Sequence, residues 1–263
     1  MTGNLRFILL LIKLKLTRMM MFRISFFGAF LADGSLFVTQ ILCFSAIYSQ
    51  VDSIGGWNRG QMLIFIGTFS LINALNMVIF FFGLVGIPGK IREGDLDLYI
   101  TKPVNPLLRL TFENVNPGSL PLVALSILII LYGVRTAGLS PGPVTALAYA
   151  GLVILMTLLW YDMELIIRTI PFFTISLNAV ERLEGEFLIL NFRVPGVLYR
   201  GVFKVLFYYI APYGIMATVP VQLLSGVLSP GGLIHAVGVT VVFTAFALWF
   251  WRFGLHHYKS ASS

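Results

Sequence analysis

Charged residues are scarce in this chain, and their scarcity indicates its class. Only 11% of the 263 residues are Asp, Glu, Lys or Arg, and the mean hydropathy is +0.91. Soluble domains carry roughly 25% charged residues, so this chain has too little polar surface to cover a globule in water. The sequence therefore predicts an integral membrane protein. At about 20 residues per span, it accommodates about six helical spans and leaves no room for a separate soluble catalytic domain.

Catalytic and metal-binding patterns are also missing. The single cysteine, Cys43, excludes intrachain disulfides and a multi-cysteine metal site. No H-E-x-x-H motif or nucleophile elbow is present, and the dipeptide Gly89-Lys90 is not part of a Walker A loop, because Leu84 and Ile91 replace the required Gly and Ser/Thr. We therefore expect no enzyme activity, no metal site and no cofactor in this chain. An ATP-driven role would need an ATPase, with its ATP and Mg²⁺, on another chain.

Long apolar runs are abundant and predict an all-α, polytopic fold with six transmembrane helices. The runs cover residues 24–48, 61–87, 119–134, 144–177, 201–219 and 233–251. They are continuous, whereas the strands of a β-barrel would show short alternating segments. In residues 1–23, basic and apolar residues are interleaved, which predicts an amphipathic helix at the membrane interface. The whole chain, 1–263, is then a single transmembrane domain.

The basic residues predict the orientation of these spans. If the chain alternates sides, 15 of the 18 Lys and Arg residues fall on one side, Arg59 and Arg135 fall on the other, and Arg168 is ambiguous. The positive-inside rule then places both termini and the loop 88–118 in the cytosol. This asymmetry accounts for the net charge of +7 without nucleic-acid binding.

The fourth run is interrupted by Asp162, Glu164 and Arg168. The helix could leave the membrane at Tyr161 or continue to about residue 177. We favour continuation, because Glu164 and Arg168 are spaced i, i+4 and a helix brings them together. An unpaired charge at mid-membrane would cost about 2.5–3.5 kcal/mol. Pro171 is expected to kink such a helix.

Other polar residues fall inside the predicted spans. Asp33, in the first span, is either a functional intramembrane carboxyl or a hydrogen-bonded packing group. Asn73 and Asn76 share one face of the second span, where they hold helices together or line a substrate path. We favour the packing role for the two asparagines.

The densest mixed-charge segment is the loop 89–106, which reads GKIREGDLDLYITKPVNP. Residues 91–99 (IREGDLDLY) and 102–108 (KPVNPLL) resemble the loop after the second span of ABC-2 type permeases, the membrane subunits of bacterial ABC exporters. Residues 193–195, 208–212 and 220 resemble the family's run around the fifth span, and residues 251–260 its closing helix. Val194 departs from the family's usual Tyr, and the charged patch 162–168 is not one of its features.

The resemblance implies a permease that dimerises, as a homodimer or a paired heterodimer, and sits on two ABC ATPase subunits. It further implies a multi-pass protein of the bacterial inner membrane, and an external re-entrant segment at residues 220–232. A short coupling helix in the loop would dock on the ATPase. Gly94 and Pro103 can turn the chain around such a helix. Leu96 and Leu98 alternate with Asp95 and Asp97, so we expect this segment to offer alternating polar and apolar contacts. The resemblance assigns the ATPase contact to Arg92, Glu93, Gly94, Asp95, Asp97, Lys102 and Pro103.

Other functions stay open at this point. A proton-coupled secondary transporter would use Asp33 or the group Asp162, Glu164 and Arg168, although no internal repeat supports it. A membrane-embedded enzyme would need a polar cluster that the three scattered histidines do not offer. A non-transporting assembly factor is a further alternative. The substrate, and whether transport is export or import, do not follow from the sequence.

Overall fold

The computed structural model describes residues 23–174 and 178–258, except for the side chains of residues 23–33 and 36. Their secondary structure is helical apart from an isolated bridge between Ile54 and Trp57, which confirms the all-α prediction. The predicted interfacial helix at 1–23 falls almost wholly outside the described residues. The helices are α1 Arg23–Ile47, α2 Arg59–Ile79, α3 Phe81–Leu84, α4 Ile87–Glu93, α5 Asp97–Ile100, α6 Pro106–Phe112, α7 Leu120–Thr136, α8 Pro143–Thr169, α9 Asn178–Arg193, α10 Gly201–Val205, α11 Tyr213–Met216, α12 Thr218–Leu224 and α13 Pro230–His257.

Four helical segments of the described chain are long and apolar enough to cross a membrane: Arg59–Ile79, Pro117–Thr136, Pro143–Phe172 and Pro230–His257. A fifth candidate is the pair Gly201–Ile210 and Tyr213–Leu224, which is bent by 80°. The described part of α1 adds a shorter apolar helix, Phe37–Ile47. The protein is therefore multi-pass, with four to five candidate spans among the described residues, and the six predicted spans stay a prediction.

Local sequence signals explain where the long helices begin. Asn58 and Gln61 form a reciprocal capping box at the start of α2, in which the Asn58 side chain accepts from the Gln61 amide at 2.9 Å and the Gln61 side chain accepts from the Asn58 amide at 2.9 Å. Helices α8 and α13 each begin with a proline, Pro143 and Pro230, whose missing amide hydrogen is not needed at that position.

Helices α2 and α7 pack closely because glycines line their contact. A Cβ on Gly133 would lie 2.8 Å from the Ile64 nitrogen, and one on Gly60 would lie 2.2 Å from the Ala137 nitrogen. Small residues at these positions let the two backbones approach. We call the end of the bundle at Gly60 and Ala137 the distal end. At the opposite end, α2 ends at Ile79 and α8 at Thr169. We call this opposite end the lobe end, because residues 80–119 form a helical lobe there.

The fourth run continues as a helix through Asp162, Glu164 and Arg168, as predicted. Helix α8 ends at Thr169, however, and Pro171 lies in the 3-10 turn Ile170–Phe172 that follows it. Pro171 thus helps to terminate the helix and does not kink it. The helix therefore ends well before residue 177, and the predicted continuation to that position is wrong.

Two other runs end differently from the prediction. The second run, 61–87, is broken at Phe80, where the backbone leaves the helical region (φ −138°). Its last residues form α3 and the start of α4. The fifth run, 201–219, is broken between Ile210 and Tyr213, where Leu206–Ile210 widens into a π-helical turn ahead of Pro212. Residues 220–232, predicted as re-entrant, contain the end of α12, a non-helical link and the start of α13.

The chain around the bent pair lies at the distal end of the bundle. Leu198 packs against Gly55, in the loop between α1 and α2. Further along, Lys204 lies over the Tyr208 ring at 5.7 Å, and Tyr208 contacts His235, near the start of α13, at a ring distance of 6.0 Å. Lys204 and the neighbouring Arg200 are therefore remote from the lobe end, although the sequence analysis counted both with the cytosolic loop.

Candidate functional site

The predicted loop 88–118 folds as part of a compact helical lobe, which we define as residues 80–119. Helix α4 ends at Gly94, whose φ of 79° is a conformation that glycine adopts without strain. The amide of Leu96 then donates to the Lys90 carbonyl at 3.1 Å and closes the turn. After α5, the Asn105 side chain caps α6 by accepting from the amides of Leu107 and Leu108 at 2.9 and 3.3 Å.

The lobe has its own apolar core, which joins it to two long helices. Leu84, Ile87, Leu96 and Leu110 are fully buried. They belong to one cluster with side chains from the lobe ends of α8 and α13, namely Leu165, Ala247 and Trp251. The Tyr161 hydroxyl of α8 also bonds the Thr111 hydroxyl at 3.1 Å. The lobe is therefore packed directly against α8 and α13.

A polar cluster braces the lobe from within. Lys90 pairs with Glu113 at 3.0 Å, and the Tyr99 hydroxyl donates to the same carboxylate at 2.8 Å. The Arg109 guanidinium lies 4.2 Å from the Tyr99 ring centre and donates to the Leu98 carbonyl at 3.3 Å. These contacts link α4, α5 and α6 and hold α5 in a fixed orientation.

Burial and charge shift two pKa values in this cluster. Partial burial lowers the pKa of Lys90, but the contact with Glu113 outweighs it, and the net pKa is raised. The pKa of Tyr99 is raised by burial and by the adjacent Glu113 carboxylate. Lys90 therefore stays charged and Tyr99 stays neutral at physiological pH, which preserves the cluster.

The tip of the lobe carries most of the residues that the sequence assigned to an ATPase contact. Arg92, Glu93, Asp95, Lys102 and Pro103 are exposed, and Gly94 and Asp97 are half-buried. Between them, α5 presents Leu98 at 60% exposure and Ile100 at 43%. The expectation that Leu96 offers an apolar contact is wrong, because Leu96 is fully buried in the lobe core.

Glu113 and Tyr99 brace the lobe, but no sequence pattern indicated this role for them. Glu113 is 23 residues from its partner Lys90, and no local spacing connects them. A signal was available for Ile100: it follows Leu98 at i+2 in a segment otherwise rich in charge, which marks it as an apolar residue outside any apolar run.

A second polar group lies inside the bundle, around Arg168. The predicted pair forms, with Arg168 Nη2 at 3.2 Å from Glu164 Oε2. Arg168 also contacts Glu181 at 2.9 Å and Glu184 at 3.4 Å, both on α9. Glu164 and Arg168 are 1% and 5% exposed. The Tyr213 hydroxyl, from α11, donates to Glu184 at 3.3 Å, so this cluster joins α8, α9 and the bent pair.

The other intramembrane candidates do not join this cluster. Asp162 faces α13, where it accepts from the Thr244 hydroxyl. Asn73 lines a cavity beside Trp160, while Asn76 is buried and its amide oxygen has no partner among the described residues. Asp33 falls within α1, but its side chain lies outside the described residues. No group of three or more His, Cys, Asp or Glu in the described chain is placed to hold a metal ion.

Comparison with known families agrees with this architecture. The family model described as "ABC-2 family transporter protein" matches residues 34–262, which is most of the chain. The chain belongs to this family of ABC transporter membrane proteins. The family lacks an ATPase domain and works with a separate ABC ATPase, in agreement with the missing Walker A loop. No curated protein and no solved structure matches the chain significantly.

Proposed function

We propose that this chain is the permease subunit of an ABC exporter of the bacterial inner membrane, and that its lobe is the surface on which the ATPase docks. Two permeases, identical or paired, form the translocation path. The lobe end faces the cytosol, and the bent pair Gly201–Ile210 and Tyr213–Leu224 is an external re-entrant segment. ATP and Mg²⁺ bind to the ATPase subunits.

The observation that carries this proposal is the construction of the lobe. Its tip combines exposed apolar side chains on α5 with exposed charges of both signs, as expected of a protein contact. Its base is packed into α8 and α13. The internal contacts of the lobe hold its docking surface in place, and the packing of its base joins that surface to α8 and α13. Such a surface can transmit movement from an ATPase to the translocation path.

The course of the bent pair supports an external re-entrant segment at residues 201–224, which overlaps the predicted segment 220–232 only at its end. Its approach, at Leu198 and Lys204, lies at the distal end. The pair then dips into the bundle, where Tyr213 reaches Trp160 and Glu184, and the chain returns to the distal end at Pro230. Its residues from Ile215 to Val219 are buried in the protein core, as irregular backbone at membrane depth requires.

Charge reversal at the tip tests the docking role. We expect Arg92→Glu combined with Asp95→Lys to lower co-purification of the ATPase and transport by about tenfold, because two rim charges then oppose their partners. Insertion into the membrane should stay normal. The matched control is Arg135→Glu, a charge reversal at an exposed residue of the distal end. If the double variant co-purified as much ATPase as the wild-type permease, the docking role would be contradicted.

A further inference from the structure

A cavity of about 160 Å³ lies between α1, α2, α8 and α9, away from the lobe tip. Its lining is aromatic and aliphatic, with one amide: Phe37, Phe69, Asn73, Trp160, Leu188, Ile189 and Phe192. An apolar cavity of roughly 150 Å³ accommodates a benzene-sized ring. The volume therefore suits one aromatic ring with a small substituent.

The rings around this cavity form a connected set. Phe69 contacts Trp160 at 5.5 Å and Phe192 at 5.2 Å between ring centres, and Phe37 contacts Phe192 at 5.8 Å. Aromatic faces attract both a further ring and a cation. Asn73 adds a side-chain amide that donates only weakly, to the Met77 sulfur at 4.0 Å, among the described residues, and this amide can therefore hydrogen-bond a ligand.

The Arg168 cluster lies directly behind one wall of the cavity. Trp160 donates its ring N–H to Glu164 at 3.4 Å, and Leu188 lies one helical turn beyond Glu184 on α9. Three carboxylates surround a single guanidinium there. Acidic side chains therefore outnumber basic ones in this cluster, and the low dielectric of the interior extends their electrostatic influence into the cavity.

We propose that this cavity is a binding site for an aromatic organic cation. The aromatic walls and the excess of acidic over basic side chains behind them both favour a positive ligand over a neutral one of the same shape. The other charged residues of α9, Arg182, Glu186 and Arg193, are exposed. This inference deepens the proposed function, because it names the chemical class of the transported substrate. Transport of the cation rests on the proposed exporter function, whereas binding of the cation does not.

Equilibrium dialysis of the full chain in nanodiscs of zwitterionic lipid tests the site, with empty nanodiscs as the baseline. The probe is benzyltrimethylammonium, and its neutral isostere is neopentylbenzene. We expect saturable binding of the cation, with the isostere competing at least about tenfold less well. Absence of saturable binding, or equal competition by the isostere, would overturn the proposal.

Matched variants connect the binding to the cluster. Glu181→Gln removes a carboxylate that touches Arg168 and is 42% exposed, so the chain should still fold. We expect it to weaken cation binding by about fivefold, while Glu186→Gln, an exposed position on the same helix, leaves binding unchanged. Leu188→Trp should abolish binding by filling the cavity. If Glu181→Gln and Glu186→Gln changed cation binding equally, the role of the cluster would be overturned.

If the wild-type chain bound no cation but still associated normally with the ATPase, the cavity proposal would fail while the proposed function stayed intact.

Discussion

Arg168 shows how one side chain can hold three helices together. Its guanidinium is the only cation among the described residues that contacts Glu164, Glu181 and Glu184. Removing one partner of a buried ion pair leaves the remaining charges uncompensated, which costs about 3–5 kcal/mol. Loss of Arg168 would therefore destabilise the protein mainly because buried carboxylates would lose their partner, and less because of the net strength of each ion pair.

We expect Arg168→Met to lower the free energy of unfolding by about 3–5 kcal/mol, because it leaves buried carboxylates without their cation. The measurement is denaturant unfolding of the purified protein in a fixed detergent. Arg182→Met, at an exposed position of α9, is the control and should change stability by less than about 0.5 kcal/mol. If the two variants had the same free energy of unfolding, the ion pairs of Arg168 would not contribute to stability.

Part of this cluster was predictable from the sequence and part was not. The Glu164–Arg168 pair follows from i, i+4 spacing on a helix, which depends only on local geometry. Glu181 and Glu184 are brought to the same arginine by the packing of α9 against α8 and α11, which no local pattern encodes. The same distinction applies in the lobe, where alternation placed Leu96 at the surface but tertiary packing buries it.

At the scale of elements, the hydropathy pattern located the helices better than their ends. The run 61–87 continues past Phe80 because residues such as Leu84 and Ile87 are as apolar as lipid-facing ones. They are buried in the lobe core instead. Hydropathy measures the preference to leave water, and it does not distinguish burial in lipid from burial in protein. The fifth run is likewise continuous in hydropathy across its break between Ile210 and Tyr213.

Close packing of α3 against α6 gives a sharp prediction for the lobe. A Cβ on Gly83 would lie 2.2 Å from the Leu110 carbonyl oxygen and 2.7 Å from that of Thr111. We expect Gly83→Ala to separate the two helices, destabilise the lobe by about 1–3 kcal/mol and reduce ATPase association. Limited proteolysis of the purified protein reports on the lobe directly, and co-purification reports on the ATPase.

The control is Gly89→Ala in α4, where a Cβ would meet no atom within 4 Å. Alanine is favoured over glycine in a helix by up to about 1 kcal/mol, so this variant should be as protease-resistant as the wild type or more so. Cleavage of both variants at the same rate would mean that the α3–α6 contact does not determine the stability of the lobe.

For the whole molecule, the orientation in the membrane determines whether the lobe can meet an ATPase. Placing Arg200 and Lys204 at the distal end weakens the charge asymmetry on which the topology was predicted, since both had been counted with the cytosolic side. The lobe still carries Lys90, Arg92, Lys102 and Arg109, and the predicted alternation of the spans adds the basic residues of both termini to its side. Only Arg59 and Arg135 join Arg200 and Lys204 at the distal end. The positive-inside rule thus continues to favour a cytosolic lobe.

Cysteine labelling tests this orientation directly. In a Cys43→Ser background, which removes the chain's single cysteine, new cysteines replace exposed Lys102 at the lobe tip or exposed Arg135 at the distal end. We expect a membrane-impermeant maleimide to label Arg135→Cys in intact cells and Lys102→Cys only in inside-out vesicles. The Cys43→Ser protein alone should stay unlabelled in both. The reverse pattern would place the lobe outside the cell, where no ATP-driven partner could reach it, and the docking proposal would fail with it.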